Sequence, residues 1–181
     1  MEKLFLTGEP GVGKTTLLGK LQKAHPTRLN GIVAREIRDG EGMRQGFTSG
    51  TLENPGRLLI AHKSIESPTR VGSYGIDVDA LDLLADQLAA QFSLAQQGNL
   101  VLLFDEIGLM QSQSGKLRGQ IEMVVYSDVP AIMTVKKDHS MSGWLRDMKQ
   151  SPEISSISVT RETQDEIFDD LNQYVEESTN R

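Results

Sequence analysis

The sequence predicts an α/β fold with a mainly parallel central sheet, and three observations indicate this class. The second half of the chain alternates apolar strand patterns with helical patterns, as repeated strand–helix–strand units do. The segment NLVLLFDEIG (99–108) is a nearly continuous apolar run, which is typical of a strand covered by helices on both faces. The apolar segment KLFLT (3–7) leads directly into a glycine-rich loop that a helical pattern follows. We therefore expect three layers, with the sheet between two layers of helices.

The elements of the first half are predicted from hydrophobic periodicity and from the residues that break it. Leucines recur at helical spacing from Leu17 to Leu21, and Pro26 ends that pattern. Two further runs flank the turn sequence ENP (53–55) and predict an inserted hairpin near residues 44–63. The predicted elements are a strand at 3–7, a helix at 15–24, a strand at 31–36, and hairpin strands at 44–52 and 56–63.

The second half opens with a predicted loop, SPTRVGSYGID (67–77), which is rich in proline, glycine and serine. A long amphipathic helix is predicted over residues 78–96, with Asp77 or Asp79 as its N-cap. No linker or internal repeat interrupts the chain, so we expect one domain over residues 1–181. The later predicted elements are a strand at 99–108, a helix at 116–125, a strand at 130–135, a short helix carrying Met141, Trp144, Leu145 and Met148, a strand at 154–159 and a last helix at 162–176.

Composition excludes several classes of site. The chain has 181 residues and no cysteine, which excludes disulfides, thiolate zinc sites and cysteine nucleophiles. Its formal net charge is −6 and its longest basic run is Lys136-Lys137, so a nucleic acid bound through its phosphate backbone is disfavoured. Because no apolar run reaches membrane-spanning length, we expect a cytoplasmic protein without a membrane partner.

The segment GEPGVGKTT (8–16) matches G-x-x-x-x-G-K-[ST], the pattern of a phosphate-binding loop. Glycines let backbone N–H groups converge on an anion, and the helix that follows adds its positive end. Lys14 can reach the β- and γ-phosphates, and the Thr15 hydroxyl can ligate Mg²⁺. A strand before the loop and a helix after it form the context that a phosphate-binding loop requires. The predicted nucleotide-binding residues of the loop are Gly8, Glu9, Pro10, Gly11, Val12, Gly13, Lys14, Thr15 and Thr16.

Asp105 and Glu106 follow at least five apolar residues, which is the Walker B pattern. Asp105 is predicted to contact the nucleotide site and to hold Mg²⁺ through a water, at the end of the strand where open α/β sheets bind ligands. Glu106 can accept a proton from an attacking water, so the pair favours hydrolysis. The simpler alternatives are a turn residue for Asp105 and a surface acid for Glu106.

Arg70 is the candidate catalytic arginine, because it lies in the long loop at 67–77 and such loops often carry function. A supplied arginine can raise the rate of hydrolysis by roughly 10³–10⁵. The alternative is that Arg70 only pairs with a surface acid. Glu36 and Arg38 could also reach the site, and an ion pair at the end of their strand is the alternative for them.

The segment VKKD (135–138) occupies the place at which GTPases carry an Asn- or Thr-led K-x-D motif that reads guanine. Val135 stands in the lead position and lacks the polar side chain, so guanine selectivity is not favoured. We expect a loose base preference.

The chain resembles the small nucleoside-triphosphatase family first described from thermophiles, which includes the cancer-related nucleoside-triphosphatase of animals. The matching segments occur in the family's order and span nearly the whole chain. They are LTGEPGVGKTTL, EIRDGEGMRQGF, SPTRVGSYGIDVDAL and LLFDEIGLM, with a weaker SVTRETQDEI near the end. The resemblance implies a three-layer, Rossmann-like P-loop NTPase fold. It also implies Mg²⁺-dependent hydrolysis of several nucleoside triphosphates to diphosphate and phosphate. It places phosphate binding on Gly8–Thr15, and magnesium and catalytic roles on Asp105 and Glu106.

The chain departs from the family pattern at two positions. It has Met110-Gln111 where the family usually has Met-Glu, and Thr163-Gln164 where the family tends to have Asn-Arg. Our first interpretation is a slow Mg²⁺-dependent nucleoside-triphosphatase in which Lys14, Glu106 and Arg70 are catalytic. One alternative is a kinase-type phosphotransferase. Another is a nucleotide-gated binding module, whose protein partner the sequence does not identify.

Overall fold

The protein is described by a computed structural model over residues 2–135 and 143–180. Within these ranges, nine strands form one sheet. The strands are β1 (Lys3–Thr7), β2 (Leu29–Arg38), β3 (Arg44–Thr51), β4 (Leu58–His62), β5 (Arg70–Val71), β6 (Tyr74–Ile76), β7 (Val101–Ile107), β8 (Ala131–Val135) and β9 (Ile154–Ser158). The helices are α1 (Lys14–Ala24), α2 (Val78–Gly98), α3 (Gly115–Val125), α4 (Gly143–Lys149) and α5 (Gln164–Thr179), with a 3-10 turn at Gln111–Gln113.

The sheet is parallel in its centre and antiparallel towards one edge. Its order is β5-β6-β4-β3-β2-β7-β8-β1-β9, and neighbouring strands from β2 to β9 in that order are parallel. At the other end of the sheet, the pairs β2–β3, β3–β4, β4–β6 and β6–β5 are antiparallel. The predicted parallel sheet with an inserted hairpin is therefore confirmed. Strand β8 lies between β1 and β7, the two strands that carry the predicted motifs.

Alternating side chains of the central strands pack against helices on both faces. On β7, Leu102 and Phe104 pack with helices α2, α3 and α4, whereas Val101 and Leu103 pack with α1 and α5. Each fully buried side chain of this size contributes about 1.5–3 kcal/mol to stability, so an apolar strand is favoured in such a position. The three predicted layers are confirmed. Among the described residues, no helix is long and apolar enough to span a bilayer.

Two parts of the sequence prediction need correction. The segment predicted as a loop at 67–77 contains the short hairpin β5–β6, whose strand β6 pairs with β4. Side chains explain this, because Val71 and Tyr74 pack against the core and Tyr74 meets Phe47 edge to face with 5.4 Å between ring centroids. Helix α2 also runs two residues further than predicted and ends at Asn99, which has a left-handed backbone with φ of 51°. Met141 and the residues at 136–138 lie outside the described ranges.

The N-cap of α2 agrees with one of the two predicted candidates. The Asp77 carboxylate accepts a hydrogen bond from the Ala80 N–H at 2.8 Å. Since this bond satisfies one of the free N–H groups in the first helical turn, it fixes where α2 begins. The helix then carries its buried leucines, including Leu81 and Leu84, across the face of the sheet behind the candidate site.

Candidate active site

The glycine-rich loop connects the end of β1 to the first turn of α1. Its lysine is drawn into the loop: Nζ of Lys14 donates to the Gly8 carbonyl oxygen at 2.8 Å and to the Glu9 carbonyl oxygen at 3.3 Å. Lys14 is buried although it carries a charge. Backbone carbonyls of this segment therefore hold the ammonium group beside the N-terminus of α1, where an anion is favoured by both the cation and the helix end.

Two glycines of the loop lie where a side chain could not fit. A Cβ at Gly8 would lie 2.6 Å from the carbonyl oxygen of Val159, and Gly8 has φ of 151°. A Cβ at Gly13 would lie 2.8 Å from Nε2 of Gln164, and Gly13 has φ of 104°. The loop thus lies against the junction between β9 and α5. Gly8 meets backbone there, whereas at Gly13 the Gln164 side chain could move and the positive φ is what favours glycine.

Gln164 holds the loop from the other end of the chain. As the first residue of α5, it donates through Nε2 to the Val12 carbonyl oxygen at 2.7 Å. It stands where the family tends to have arginine, so this chain replaces a charged side chain by a neutral donor next to the phosphate loop. The contact links the two ends of the chain, which are 152 residues apart at this point.

Two cavities meet at this loop. The phosphate cavity, of about 310 Å³, is lined by loop and α1 residues on one side and by residues of β2, β3 and β7 on the other. Its residues are Pro10, Gly11, Gly13, Lys14, Thr15 and Thr16, faced by Glu36, Arg44, Phe47 and Glu106. The adjoining cavity, of about 180 Å³, shares Thr15, Glu36, Phe47 and Glu106 with it. It extends along Ala34, Arg35, Val71, Asp105 and the segment Gly108–Gln111.

Asp105 lies at the carboxyl end of β7 with its side chain buried. Its Oδ1 accepts a hydrogen bond from the hydroxyl of Thr134 on β8, and that threonine is completely buried. A buried carboxylate needs such a donor, because an unpaired charge would be costly in this environment. Because β8 lies between β1 and β7, its threonine reaches the aspartate from the neighbouring strand.

The donor set at Thr15 and Asp105 fits a hard divalent cation. Both residues line the adjoining cavity, one with a hydroxyl and the other with a carboxylate. Oxygen ligands of these two kinds suit Mg²⁺, which keeps several waters and takes few protein ligands.

Gln111 occupies the other position at which the chain departs from the family pattern. Its buried side chain accepts a hydrogen bond through Oε1 from the Gly108 N–H at 3.0 Å. The bond folds the segment after Glu106 into the 3-10 turn that lines the adjoining cavity. A glutamate could provide the same acceptor, so the substitution removes a charge from this wall while it preserves the turn.

Most predicted site residues meet at these cavities, and Arg70 does not. Gly8, Glu9 and Val12 contribute backbone contacts to the loop, as described above. The guanidinium of Arg70 donates to the Ser73 carbonyl oxygen at 2.8 Å and to the Ile65 carbonyl oxygen at 3.5 Å. Arg70 thus lies in the β5–β6 hairpin, and neither cavity beside the phosphate loop is lined by it. The alternative expectation, an ion pair between Arg70 and a surface acid, has no counterpart among the ion pairs of the described residues.

Sequence reasoning missed Arg44, the first residue of β3, which lines the phosphate cavity. Its position depends on the turn between β2 and β3. In that turn, Oδ1 of Asp39 accepts from the Met43 N–H at 2.8 Å and from the Glu41 N–H at 3.1 Å. The Met43 bond, with help from the Gln45 amide and Glu41, lowers the pKa of Asp39 below its usual value. The sequence signal that could have pointed to Arg44 is its place in the segment EIRDGEGMRQGF.

Comparisons with known proteins agree with this architecture. A model of the family described as NTPase matches residues 3–172. Nucleoside-triphosphatase THEP1 of Aquifex aeolicus is 31% identical over 175 residues, covering 93% of this chain and 96% of that protein. Nucleoside-triphosphatase THEP1 of Thermotoga maritima is 36% identical over 135 residues, covering 75% of this chain and 74% of that protein.

Solved structures show the same relationship. The crystal structure of THEP1 from Aquifex aeolicus matches with a TM-score of 0.85 at 29% identity, covering 96% of this chain and 99% of that one. The solution structure of a human cancer-related nucleoside triphosphatase matches with a TM-score of 0.74 at 26% identity, covering 98% of this chain and 99% of that one. The resemblance predicted from the motifs is therefore confirmed, and the chain belongs to the NTPase family.

Proposed function

We propose that this protein hydrolyses nucleoside triphosphates to nucleoside diphosphate and phosphate, slowly, with Mg²⁺ and with a loose base preference. Relatives that match over more than nine-tenths of the chain are named nucleoside-triphosphatases. The observation that carries the proposal is the position of Glu106, which lines both the phosphate cavity and the adjoining cavity. A carboxylate at this boundary is suited to accept the proton of a water that attacks a bound γ-phosphate.

Each of the other site residues has a role in binding. The N–H groups of the loop and the ammonium group of Lys14 would bind the phosphate oxygens, with the γ-phosphate towards Glu106. Thr15 and Asp105 would hold Mg²⁺, which would supply positive charge to stabilise the phosphate oxygens during the reaction. The hydroxyl of Thr134 would keep the Asp105 carboxylate in one orientation.

In the proposed reaction, a water oxygen attacks the γ-phosphorus and the nucleoside diphosphate leaves. The water proton passes to the Glu106 carboxylate, so that phosphate is formed and no covalent enzyme intermediate is needed. Val135, at the lead position of VKKD, is completely buried in the core and therefore offers no polar group to a base. This favours acceptance of several bases over guanine selectivity.

The test is phosphate release from ATP, GTP, CTP and UTP with Mg²⁺, measured for the wild type, for Glu106→Gln and for Glu53→Gln. Glu53 is exposed in the β3–β4 turn and lines neither cavity, so Glu53→Gln makes the same chemical change outside them. We expect release from several nucleotides, a loss of about 10²–10⁴-fold in Glu106→Gln with binding retained, and no loss in Glu53→Gln. If all three proteins bind nucleotide tightly and none of them releases phosphate, hydrolysis is refuted.

The adjoining cavity favours one second candidate, transfer of the phosphoryl group to a small acceptor. Its volume of about 180 Å³ is larger than the space that one water occupies, about 30 Å³. Phe47, Val71 and Met110 give it apolar walls against which an organic acceptor could pack. Incubation with [γ-³²P]ATP and a panel of nucleosides, nucleotides and sugars would separate the two reactions. Label confined to inorganic phosphate across the panel would argue against transfer.

A further inference from the structure

We propose that Arg44 is the catalytic arginine of this site and binds the oxygens of the phosphoryl group that is transferred. The inference deepens the proposed hydrolysis and rests on it. Arg44 begins β3 and lines the phosphate cavity together with Lys14 and Glu106. Within the described parts of the chain, no other arginine lines that cavity. Its charge is therefore in the same chain as the phosphate loop, and no partner protein has to supply it.

The guanidinium of Arg44 is held in place by two neighbours before any nucleotide binds. Its Cζ lies 5.3 Å from the centroid of the Phe47 ring, an arrangement that attracts a cation to the aromatic face. Its Nη2 forms an ion pair with Oε1 of Glu36 on the adjacent strand β2. A side chain fixed in this way loses little conformational entropy when it binds a further anion.

The same guanidinium keeps donors available. Its ion pair with Glu36 uses Nη2, whereas Nε is buried and has no hydrogen-bond partner within residues 2–135 and 143–180. A buried donor without an acceptor costs about 1–3 kcal/mol, and native proteins rarely retain one without a reason. A phosphate oxygen is the acceptor that suits a guanidinium best, because the planar fork of donors matches its geometry. A small movement of the half-exposed side chain towards the cavity would satisfy these donors.

Glu36 is shared between two arginines. Its other oxygen, Oε2, pairs with Arg38. Arg38 also donates to the Gly42 carbonyl oxygen at 2.6 Å, and it lines neither cavity. The ion pair with Glu36 therefore positions Arg44 at the cavity, whereas Arg38 is held away from it.

Other arginines near the site are less suitably placed. Arg70 is bonded to the carbonyls of its own hairpin, away from both cavities. Arg35 lines the adjoining cavity on the side of Ala34 and Asp105 and does not line the phosphate cavity. Arg44 is thus the arginine whose position matches the charge that develops on the γ-phosphate oxygens during hydrolysis.

The experiment compares phosphate release and nucleotide binding in the wild type, Arg44→Ala, Arg44→Lys, Arg38→Ala and Arg35→Ala. Arg38→Ala is the matched control, because it removes the other arginine that pairs with Glu36. Removal of Arg44 leaves Glu36 paired with Arg38, so no carboxylate is orphaned; circular dichroism and thermal unfolding check the fold. A second readout is the binding of ADP with aluminium fluoride, which imitates the phosphoryl group in the transition state.

We expect Arg44→Ala to lower kcat by about 10³-fold and to abolish binding of the ADP–aluminium fluoride complex. The affinity for a non-hydrolysable ATP analogue should change by less than about fivefold, because the loop and Lys14 still bind the phosphates. Arg44→Lys should recover part of kcat, and Arg38→Ala should retain nearly all of it. A folded Arg44→Ala protein that keeps its kcat, or a loss that instead follows Arg35, would overturn the assignment and leave the hydrolase proposal intact. No release from the wild type would overturn both.

Discussion

The hydroxyl of Thr134 donates a hydrogen bond to Oδ1 of Asp105, and both side chains are almost completely excluded from solvent. The bond crosses from β8 to β7, at the ends of two adjacent parallel strands. It uses one carboxylate oxygen, and under the proposed metal binding the other oxygen would face a metal-bound water. Thr134 therefore orients the Asp105 carboxylate from a strand that is otherwise apolar.

Thr134→Val should weaken the response of the protein to Mg²⁺. Valine has nearly the same shape, so the core is preserved while Oδ1 of Asp105 loses its donor. Because loss of an outer partner typically costs 10–100-fold in metal affinity, we expect the half-saturating Mg²⁺ concentration to rise about tenfold or more. The measurement is a Mg²⁺ titration of fluorescent nucleotide binding, alongside phosphate release.

Thr134→Ser is the control for this experiment, since it keeps the hydroxyl and removes one methyl group. It should titrate close to the wild type. If valine and serine variants needed the same Mg²⁺ concentration as the wild type, Asp105 would not depend on this hydrogen bond.

Lys14→Ala should remove nucleotide binding almost entirely. The substitution deletes the cation of the loop and its two bonds to the carbonyl oxygens of Gly8 and Glu9. Charge-assisted hydrogen bonds contribute about 1.5–3 kcal/mol each, so we expect the affinity for a triphosphate to fall by about 10²-fold or more. Isothermal titration with a non-hydrolysable ATP analogue measures this. Lys20→Ala, on the exposed side of the same helix, should bind normally. Equal binding by both variants would contradict the phosphate-site assignment.

These contacts also show what could be predicted from sequence and what could not. The strands and the phosphate loop were predictable because their signals are local: β7 is apolar throughout, and the loop carries its own motif. The partnership of Thr134 with Asp105 depends on β8 lying between β1 and β7, and strand order leaves no local pattern. The place of Arg44 depends on how β3 folds back beside the loop. The hairpin that holds Arg70 was predicted as a loop because strands of two and three residues are too short to show periodicity.

Gln164→Ala should loosen the phosphate loop without unfolding the protein. The side chain donates to the Val12 carbonyl oxygen and lies against Gly13, so its removal frees both backbone positions. We expect KM for ATP to rise about three- to tenfold, because one hydrogen bond that contributes about 1 kcal/mol is lost. The change in kcat should be smaller. Steady-state kinetics separate the two constants.

Gln173→Ala serves as the matched control for Gln164→Ala. Gln173 lies on the same helix, is exposed, and bonds only with Glu177 at 2.7 Å. Its removal should leave KM unchanged. A Gln164→Ala protein with the wild-type KM would show that the Val12 contact does not shape the loop.

Lys3→Met should change how stability depends on pH. Lys3 is fully buried on β1, and its Nζ donates to the Ser127 carbonyl oxygen at 2.7 Å. Burial lowers the pKa of Lys3 below its ordinary value of 10.5, although the nearby Asp128 and Glu153 carboxylates oppose the shift. Between the lowered pKa of the folded state and 10.5, the unfolded chain binds more protons than the native protein. Stability contributed by this residue therefore rises with pH across that window.

The measurement is the urea midpoint of the wild type and of Lys3→Met at neutral pH and at about pH 10. At the higher pH the urea midpoint of the wild type should rise relative to that of Lys3→Met, because Lys3 can lose its proton and methionine has none. Lys20→Met, a change of the same kind on the exposed side of α1, should run parallel to the wild type at both pH values. A parallel course for Lys3→Met as well would mean that burial of this ammonium group does not lower its pKa.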